Sequence, residues 1–441
     1  MAEDIIECRA DDAGGELQNV IRRSNGTSPV PKGWSKFTLG QIVQSGRKIC
    51  YGIVQPGEDT AGGIPLIRGR DYSFGWAPID VFYRVSEEID RPYKRSKVKP
   101  NDLLLTIVGA GTGNVAVVPE WLDGANITQT TARISVDHAR HDYRFVKALL
   151  ESAYGKQAVY RAIKGGAQPG LNIGDVELFE FMFPPREEEQ RIADILSTWD
   201  SAIQKVEALI ATARLQKKAL MQSLLTGRKR LPGFLDDWHW IKFSDVFERV
   251  REKNDVGNTN VLTISAQHGL ISQAEYFNKS VASDDVRGYT LLRRGDFAYN
   301  KSYSDGYPFG AFKPLELYES GIVSSLYICF RLGGGGHDHA FFRHYFEAGL
   351  FNREVAGIAQ EGARNHGLLN VSVVDFFDTS VHVPSHEEQV AIARIINDAE
   401  LKERKLADQL LALRKEKSAL MQQLLTGKRR VAFPKREAAV A

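Results

Sequence analysis

Residues 185 to 227 return almost intact at 384 to 427, so whatever this chain folds into must be built twice. The first copy opens PREEEQRIADIL and closes ALMQSLLTG, and the second opens PSHEEQVAIARII and closes ALMQQLLTG. Ala219 to Thr226 match Ala419 to Thr426 at an offset of 200, whereas Gln190 matched to Gln389 gives 199, which requires one inserted residue before Ile392. A period this long is too large for a solenoid unit and means two related halves. At 441 residues the chain also exceeds what one core usually supports.

Both copies read as long helices with their own boundary signals. Pro184 and Pro185 precede Glu187, Glu188 and Glu189, placing proline at the first turn and acid at the positive end of the helix dipole. Ser385 and Glu388 have the spacing of a capping box. Gly227 and Gly427 sit where a left-handed C-cap is expected, each followed by three basic residues, Arg228 to Arg230 and Lys428 to Arg430. Each helix is about 40 residues, or roughly 60 Å.

In the first copy Ile192, Leu196, Trp199, Ile203, Val206, Ile210, Ala213, Lys217, Leu220 and Leu224 alternate at four and three residues. The second does the same with Ile392, Ile396, Ala399, Glu403, Leu406, Leu410, Leu413, Lys417, Leu420 and Leu424. Such a seam requires a partner helix. A parallel pair would bury Lys217 against Lys417, which costs free energy without a counter-ion. An antiparallel pair sets Lys217 opposite Ala399 and Lys417 opposite Trp199, whose indole face can receive the ammonium. The expectation is therefore an antiparallel pair.

Two blocks of similar length remain, 33 to 184 and 232 to 383. Trp34-Ser35-Lys36-Phe37 opens the first and Trp240-Ile241-Lys242-Phe243 the second. Each has a basic residue, a turn, an aspartate and an apolar strand in its middle, Lys99-Pro100-Asn101-Asp102-Leu103 and Arg294-Gly295-Asp296-Phe297. Each closes on a Gly-Ala segment, Gly166-Ala167-Gln168-Pro169 and Gly362-Ala363-Arg364-Asn365. Short β-branched runs suggest strands at Ile64 to Arg68, Leu103 to Val108, Val115 to Val118 and Val323 to Phe330, with helices near Tyr143 to Ile163 and Phe341 to Ala356. Regular strand-helix alternation is missing. The fold class expected is α+β: two globular domains separated by two long helices that form an antiparallel coiled coil, with pseudo-two-fold symmetry. The divisions are an N-terminal arm (1–32), a first domain (33–184), a first helix segment (185–231), a second domain (232–383), a second helix segment (384–430) and a tail (431–441).

Several chemistries are disfavoured. Gly109, Gly111 and Gly113 follow a strand and invite a cofactor-loop reading, but the β-branched run Val115 to Val118 comes next, whereas a phosphate-binding loop must open a helix. A hairpin turn fits better. Gly333 to Gly336 with His337-Asp338-His339 lacks any further ligand pattern and reads as a surface loop. Cys8, Cys50 and Cys329 form no CxxC pair, so neither a disulfide scaffold nor a zinc site is expected. No GxxxxGK[ST], HExxH, serine elbow or Asn/Asp-Pro-Pro-aromatic motif occurs. Covalent chemistry is not expected of this chain. The acidic N-terminus lacks an apolar core and no apolar run approaches a membrane span, so the cytoplasm is the expected location.

Net charge is only +2, so a nucleic-acid surface must come from local clustering. The first block offers Arg68, Arg70, Lys94, Arg95, Lys97 and Lys99, with Asn126, Gln129, Lys164 and Gln168 on segments that read as loops. The second offers Lys279, Arg287, Arg293, Arg294, Asn300, Lys301, Tyr303, Arg364, Asn365 and His366. Lysine and arginine neutralise phosphates, while arginine, asparagine and glutamine make paired hydrogen bonds to base edges.

On the Pro185 and Pro384 helix starts with Glu-Glu-Gln, the ALMQxLLTG endings, the GWSKFTLGQI opening and the Gly-Ala-Gln-Pro segment, the chain resembles the specificity subunit of type I restriction-modification systems over about residues 31 to 430. The resemblance implies two target-recognition domains, each reading one half of a split, asymmetric DNA site, with the helices as a spacer. It also implies two adenine-N6 methyltransferase subunits and restriction subunits that translocate DNA. The chain itself would carry no cofactor; S-adenosylmethionine, ATP and Mg would belong to the complex. Two other readings stay open: a stand-alone DNA adenine methyltransferase, marked by S-adenosylmethionine binding to the isolated chain, and a coiled-coil adapter, marked by the lack of any salt slope or sequence preference.

Overall fold

The computed structural model describes residues 30–432 apart from 165–169, 266–268, 278–284, 303–305 and 360–368. Contacts divide the chain into two compact units whose boundaries cut through the helices: Met1–Lys205 with Leu410–Ala441, and Val206–Gln409.

The first unit contains β1 (Ser35–Thr38), β2 (Cys50–Tyr51), β3 (Ile64–Ile67), β4 (Tyr83–Val85), β5 (Leu103–Thr106), β6 (Val115–Val117), β7 (Asn126–Ile127), β8 (Thr131–Ile134) and β9 (Glu180–Phe183). Its main sheet has the order β2-β8-β5-β6, and a smaller one the order β4-β3-β7. β1 pairs antiparallel with β9, and so ties the opening of the block to the strand that leads into the first long helix. Strand β5 reads as a continuous apolar run because both its faces are covered. Leu103 and Leu105 join the core that includes Phe145, Phe183 and Ile192, while Leu104 packs with Ile67, Tyr72 and Phe82 on the other side.

The second unit follows the same plan, with β10 (His239–Lys242), β11 (Phe247–Arg249), β12 (Leu262–Ser265), β13 (Gly269–Ser272), β14 (Thr290–Arg293), β15 (Phe297–Asn300), β16 (Ala311–Pro314), β17 (Ser320–Val323), β18 (Ile328–Leu332) and β19 (Ser380–Val383). Its main sheet has the order β11-β18-β15-β16, strand for strand the order of the first, and β10 pairs with β19 as β1 does with β9. Phe297 and Tyr299 point to one core and Ala298 to the other, repeating Leu103, Leu105 and Leu104.

Register corrects three readings of the sequence. Ser35 faces Phe183 and His239 faces Val383, so Trp34 corresponds to Trp238 rather than to Trp240. Trp34 is buried whereas Trp240 is 61% exposed. The run Val323 to Phe330 is not one strand, since β17 ends at Val323 and β18 starts at Ile328. Each expected domain helix is also split in two: Tyr143–Glu151 and Ala153–Ala162 in the first unit, His339–Glu347 and Asn352–Ile358 in the second. Ser152 breaks the first by adopting extended geometry (φ −69°, ψ 168°) and capping the next helix through a hydrogen bond from the Gly155 N–H.

The long helices span Arg186–Leu224 and His386–Leu424, 39 residues each and offset by 200 throughout. No residue is inserted. Glu189, not Gln190, is the counterpart of Gln389: Glu189 accepts from His141 Nδ1 (2.8 Å) and the Asp142 N–H (2.7 Å), while Gln389 contacts His337 Nδ1 (3.1 Å) and accepts from the Asp338 N–H (2.9 Å). Gly227 and Gly427 have φ of +70° and +68° and terminate the helices as left-handed caps. A Cβ at Gly227 would lie 3.4 Å from the Trp238 ring, and one at Gly427 would lie 2.5 Å from Pro31.

Helix pairing is antiparallel within each unit. In the first, Glu188 meets Arg430 and, twelve residues further on, Asp200 meets Lys417, thirteen residues earlier. In the second, Glu388 meets Arg230 and Glu403 meets Lys217. Ile192, Leu196, Val206, Ile210, Ala213 and Leu224 are buried along the first helix, as are Ile392, Ile396 and Leu424 along the second; Trp199, Ile203, Leu220, Ala399, Leu406, Leu410, Leu413 and Leu420 are half-buried. The seam lysines differ from expectation. Lys417 binds Asp200 (2.5 Å) instead of lying on Trp199, and Lys217 binds Glu403 (2.6 Å) instead of facing Ala399. A long ammonium side chain reaches a carboxylate at a neighbouring seam position, where a charge-assisted hydrogen bond exceeds what an indole face offers.

Candidate nucleic-acid interface

One turn, built identically in both units, sets the frame of each main sheet. Asp102 accepts from the Lys99 N–H (2.7 Å), as Asp296 does from the Arg293 N–H (2.8 Å). Asn101 N–H donates to Val118 O and Gly295 N–H to Leu315 O, both at 2.9 Å. Asn101 and Gly295 both have positive φ, 69° and 91°, as this turn requires. The buried aspartate then takes an arginine: Arg47 at 2.6 Å in the first unit and Arg331 at 2.9 Å in the second. These two arginines come from different places in the repeat, so only the aspartate was visible in the sequence.

The turn lies at the start of β5, and the first-unit candidates divide between the two ends of that strand. Lys94, Arg95, Lys97 and Lys99 belong to the starting end. Lys97 is committed to Asp90 (2.7 Å) and Gly124 O, whereas Lys94, Arg95 and Lys99 are exposed and enter none of the described ion pairs. At the far end, beyond Thr106, four loops converge. Thr128 N–H donates to Ile67 O, Gln129 N–H to Ile53 O, Ile107 N–H to Thr130 O, and Leu171 N–H to Ile107 O. Arg68, Arg70, Gln129 and Lys164 therefore share one loop cluster. Arg68 is held by Asp71 (2.9 Å) and lies 5.5 Å from the Tyr83 ring centre, while Arg70 is 74% exposed with Asp71 only at 3.9 Å. Lys164 binds Asp175 (2.8 Å), and that hydrogen bond holds the Asp175 carboxyl below its ordinary value.

Asn126 requires a correction. It lies on β7, fully buried, with its amide donating to Asp90 (2.9 Å) and Tyr93 O and its carbonyl oxygen accepting from Ser96 (2.7 Å). A short polar side chain in a β-branched run read as a loop residue, but here it fixes the 90–96 segment against the sheet. Gln168 lies outside the described residues.

In the second unit Arg287 binds Asp285, whose carboxyl that hydrogen bond lowers to about 2. Arg293 binds Glu252 (3.1 Å) and Arg294 binds Glu319 (2.9 Å), both beside the turn. Asn300 and Lys301 lie at the far end of β15. Lys301 O accepts from the Leu369 N–H (2.9 Å), so Lys301 occupies the place of Ile107 and sets a cation where the first unit has a buried aliphatic group. Lys279, Tyr303, Arg364, Asn365 and His366 lie outside the described residues. The loop ends thus differ chemically while the frames match.

Among the described residues, no group of three or more potential metal ligands comes together. Gly109 and Gly113 form the turn of the β5–β6 hairpin, with Leu103 facing Val117, and no helix follows it. His337 contacts Gln389 and Asp338 caps the helix that follows, accepting from the Phe341 N–H (2.7 Å), so this segment docks a domain helix on the long helix. No helix among the described residues is long and apolar enough to cross a membrane. The sequence reading also missed the partnership of Arg230 with Glu388 and of Arg430 with Glu188. Its signal is a basic residue three places after each Thr-Gly and an acid four places after each Pro184 and Pro384.

These features define a two-unit protein with a duplicated α+β frame, a long-helix pair in each unit and unlike loop ends. Residues 31–212 match the family model of the type I restriction modification DNA specificity domain. Over 196 residues the chain is 34% identical to the EcoBI type I restriction enzyme specificity subunit of Escherichia coli, covering 44% of this chain and 41% of that protein. Two solved structures share the fold along nearly the whole chain. The S subunit of a type I restriction-modification system from M. genitalium has a TM-score of 0.52 at 14% identity, covering 90% of this chain and 97% of that one. A chain from a structure concerned with complex assembly and conformational transition of the type I R-M system has 0.54 at 15%, covering 91% and 100%. The family likeness is carried by residues 31–212, and the chain spans about half the length of the curated relatives it matches.

Proposed function

We propose that this chain is the DNA specificity subunit of a type I restriction-modification complex, in which each unit reads one half of a split, asymmetric site and the two long helices serve as spacer and scaffold. The observation that carries this reading is the pairing of identical frames with different loop ends. The turn at Asp102 and that at Asp296 agree bond for bond, yet Ile107 and Lys301 differ at the equivalent far position. Such a molecule presents two related readers with different preferences, and its reading surfaces are the loops beyond β5 and β15. Lysine and arginine there, Arg70 among them, would neutralise phosphates, and Gln129 and Asn300 would reach base edges. Its partners would be double-stranded DNA, two adenine-N6 methyltransferase subunits and restriction subunits, in the cytoplasm. The chain would act without chemistry of its own, the S-adenosylmethionine, ATP and Mg being held by those partners. The hairpin geometry of Gly109 to Gly113 speaks against a methyltransferase in this chain, since that turn leads into β6 and does not open a helix.

Long-read mapping of 6-methyladenine in cells that express the partner methyltransferase with and without this chain tests the proposal. A split motif that appears only with the chain supports it. No new motif, with methyltransferase binding demonstrated, refutes it in favour of an adapter.

A further inference from the structure

We propose that Phe74 is a wedge that enters the base stack of the DNA read by the first unit, an inference that rests on the specificity reading above. Phe74 is 84% exposed, on a loop that is otherwise firmly held. On one side Tyr72 is 6% exposed and its hydroxyl lies 2.7 Å from Thr106 Oγ1, at the far end of β5. On the other, the Trp76 indole N–H donates to Val117 O (3.1 Å) and its ring stacks near Phe82. The Ala77 N–H closes the loop on Asp71 O (2.9 Å), and Ser73 Oγ donates to Gly69 O (2.7 Å). Phe74 is thus presented on a rigid mount between two anchored aromatic residues, and binding need not order it.

The surroundings identify the occupant. The same turn carries Arg70, 74% exposed, and Arg68, against a single carboxylate, Asp71, so its net charge is positive. The Thr128 N–H donates to Ile67 O, at the end of the strand that leads into this turn, and the Gln129 N–H donates to Ile53 O. An apolar ring beside an available cation, at the edge of a cluster of base-reading groups, matches a duplex, whose phosphates flank an apolar stack. Wedge residues of this type unstack one base step and bend the helix, which adds shape preference to direct readout. In the second unit β12 pairs with β13 and a parallel bridge joins Val261 to Ile322, much as β3 pairs with β4 and β7, but residues 266–268 and 278–284 lie outside the described residues. The wedge is assigned to the first half-site only.

The test uses the full chain assembled with its methyltransferase and duplexes containing the mapped motif, with 2-aminopurine at successive positions across the first half-site. Wild-type complex is expected to brighten one position several-fold. Phe74→Ala should abolish that signal and weaken binding about tenfold while both halves of the motif remain the preferred sequence, and Phe74→Trp should retain the signal. Sequence-specific binding with no bright position overturns the wedge and leaves the specificity reading intact, whereas absence of sequence-specific binding overturns the reading beneath it. If Phe74→Ala instead releases the methyltransferase subunit, the residue is a protein contact and the wedge is wrong.

Discussion

Arg430 holds Glu188 with two hydrogen bonds, Nε to Oε1 and Nη2 to Oε2, both at 2.7 Å, and thereby ties the last residue of one helix segment to the first turn of the other. Arg230 and Glu388 repeat the arrangement at 2.9 and 2.8 Å. Both glutamate side chains are 2% exposed, so each depends on its arginine for compensation. Bidentate pairs of this kind fix geometry as well as contribute energy. They enforce antiparallel pairing, because a parallel pair would set Glu188 beside Glu388.

Removing either arginine strands a buried carboxylate. Arg430→Ala and Arg230→Ala are each expected to destabilise the protein by roughly 2 kcal/mol, the scale of an unsatisfied buried charged group near the surface. Urea unfolding followed by circular dichroism reads this as a lowered midpoint at unchanged slope. Changes no greater than those of an exposed control such as Arg404→Ala would show that the clamps contribute nothing.

The helix pair of the second unit carries a pH dependence. Burial raises the Glu403 carboxyl, but the hydrogen bonds from Lys217 and Arg214 outweigh it and hold the group below its ordinary value of 4.5. Glu400 is lowered in the same way, against its own burial, by Arg343. A carboxylate lowered in the folded state contributes stability that is present above the unfolded value and is lost as pH falls through the folded one. Stability should therefore decline below about pH 4.5 in the wild type. Glu403→Gln should be the less stable protein at pH 7, with the difference shrinking toward pH 3. A constant difference across that range would remove Glu403 from the account.

Arg70 and Asn126 separate reading from support. Arg70→Ala should weaken DNA binding across sequences and reduce the salt slope by about one, without changing the unfolding midpoint. Asn126→Ala, which takes one hydrogen-bond partner from each of Asp90 and Ser96, should lower stability by roughly 1 to 3 kcal/mol and leave the methylated motif unaltered. Filter binding at several salt concentrations and thermal unfolding distinguish the two, and a reversal of these effects would exchange their roles.

What the sequence revealed follows from how locally each signal is encoded. The helices, their glycine caps and the Gly109 to Gly113 hairpin depend on residues within a few positions, so their pattern was sufficient. Trp34 was matched with Trp240 because the letters around them agree, whereas the true counterpart, Trp238, is defined by the cross-strand partner Phe183 or Val383. Gln190 was matched with Gln389 for the same reason, while the position that docks the domain, Glu189, keeps a hydrogen-bond acceptor rather than a residue type. Burial of Asn126 and the choice of Asp200 and Glu403 by the seam lysines depend on packing between segments far apart in the chain. No single stretch of sequence reports them.

The central claim is that two independent readers stand on one duplicated frame. Exchanging residues 33–184 for the corresponding domain of another such protein, keeping both helices, and then mapping 6-methyladenine by long-read sequencing tests it most directly. The account predicts a motif in which one half is replaced and the other half is unchanged. Replacement of both halves, or retention of both with the exchanged domain folded, would contradict it.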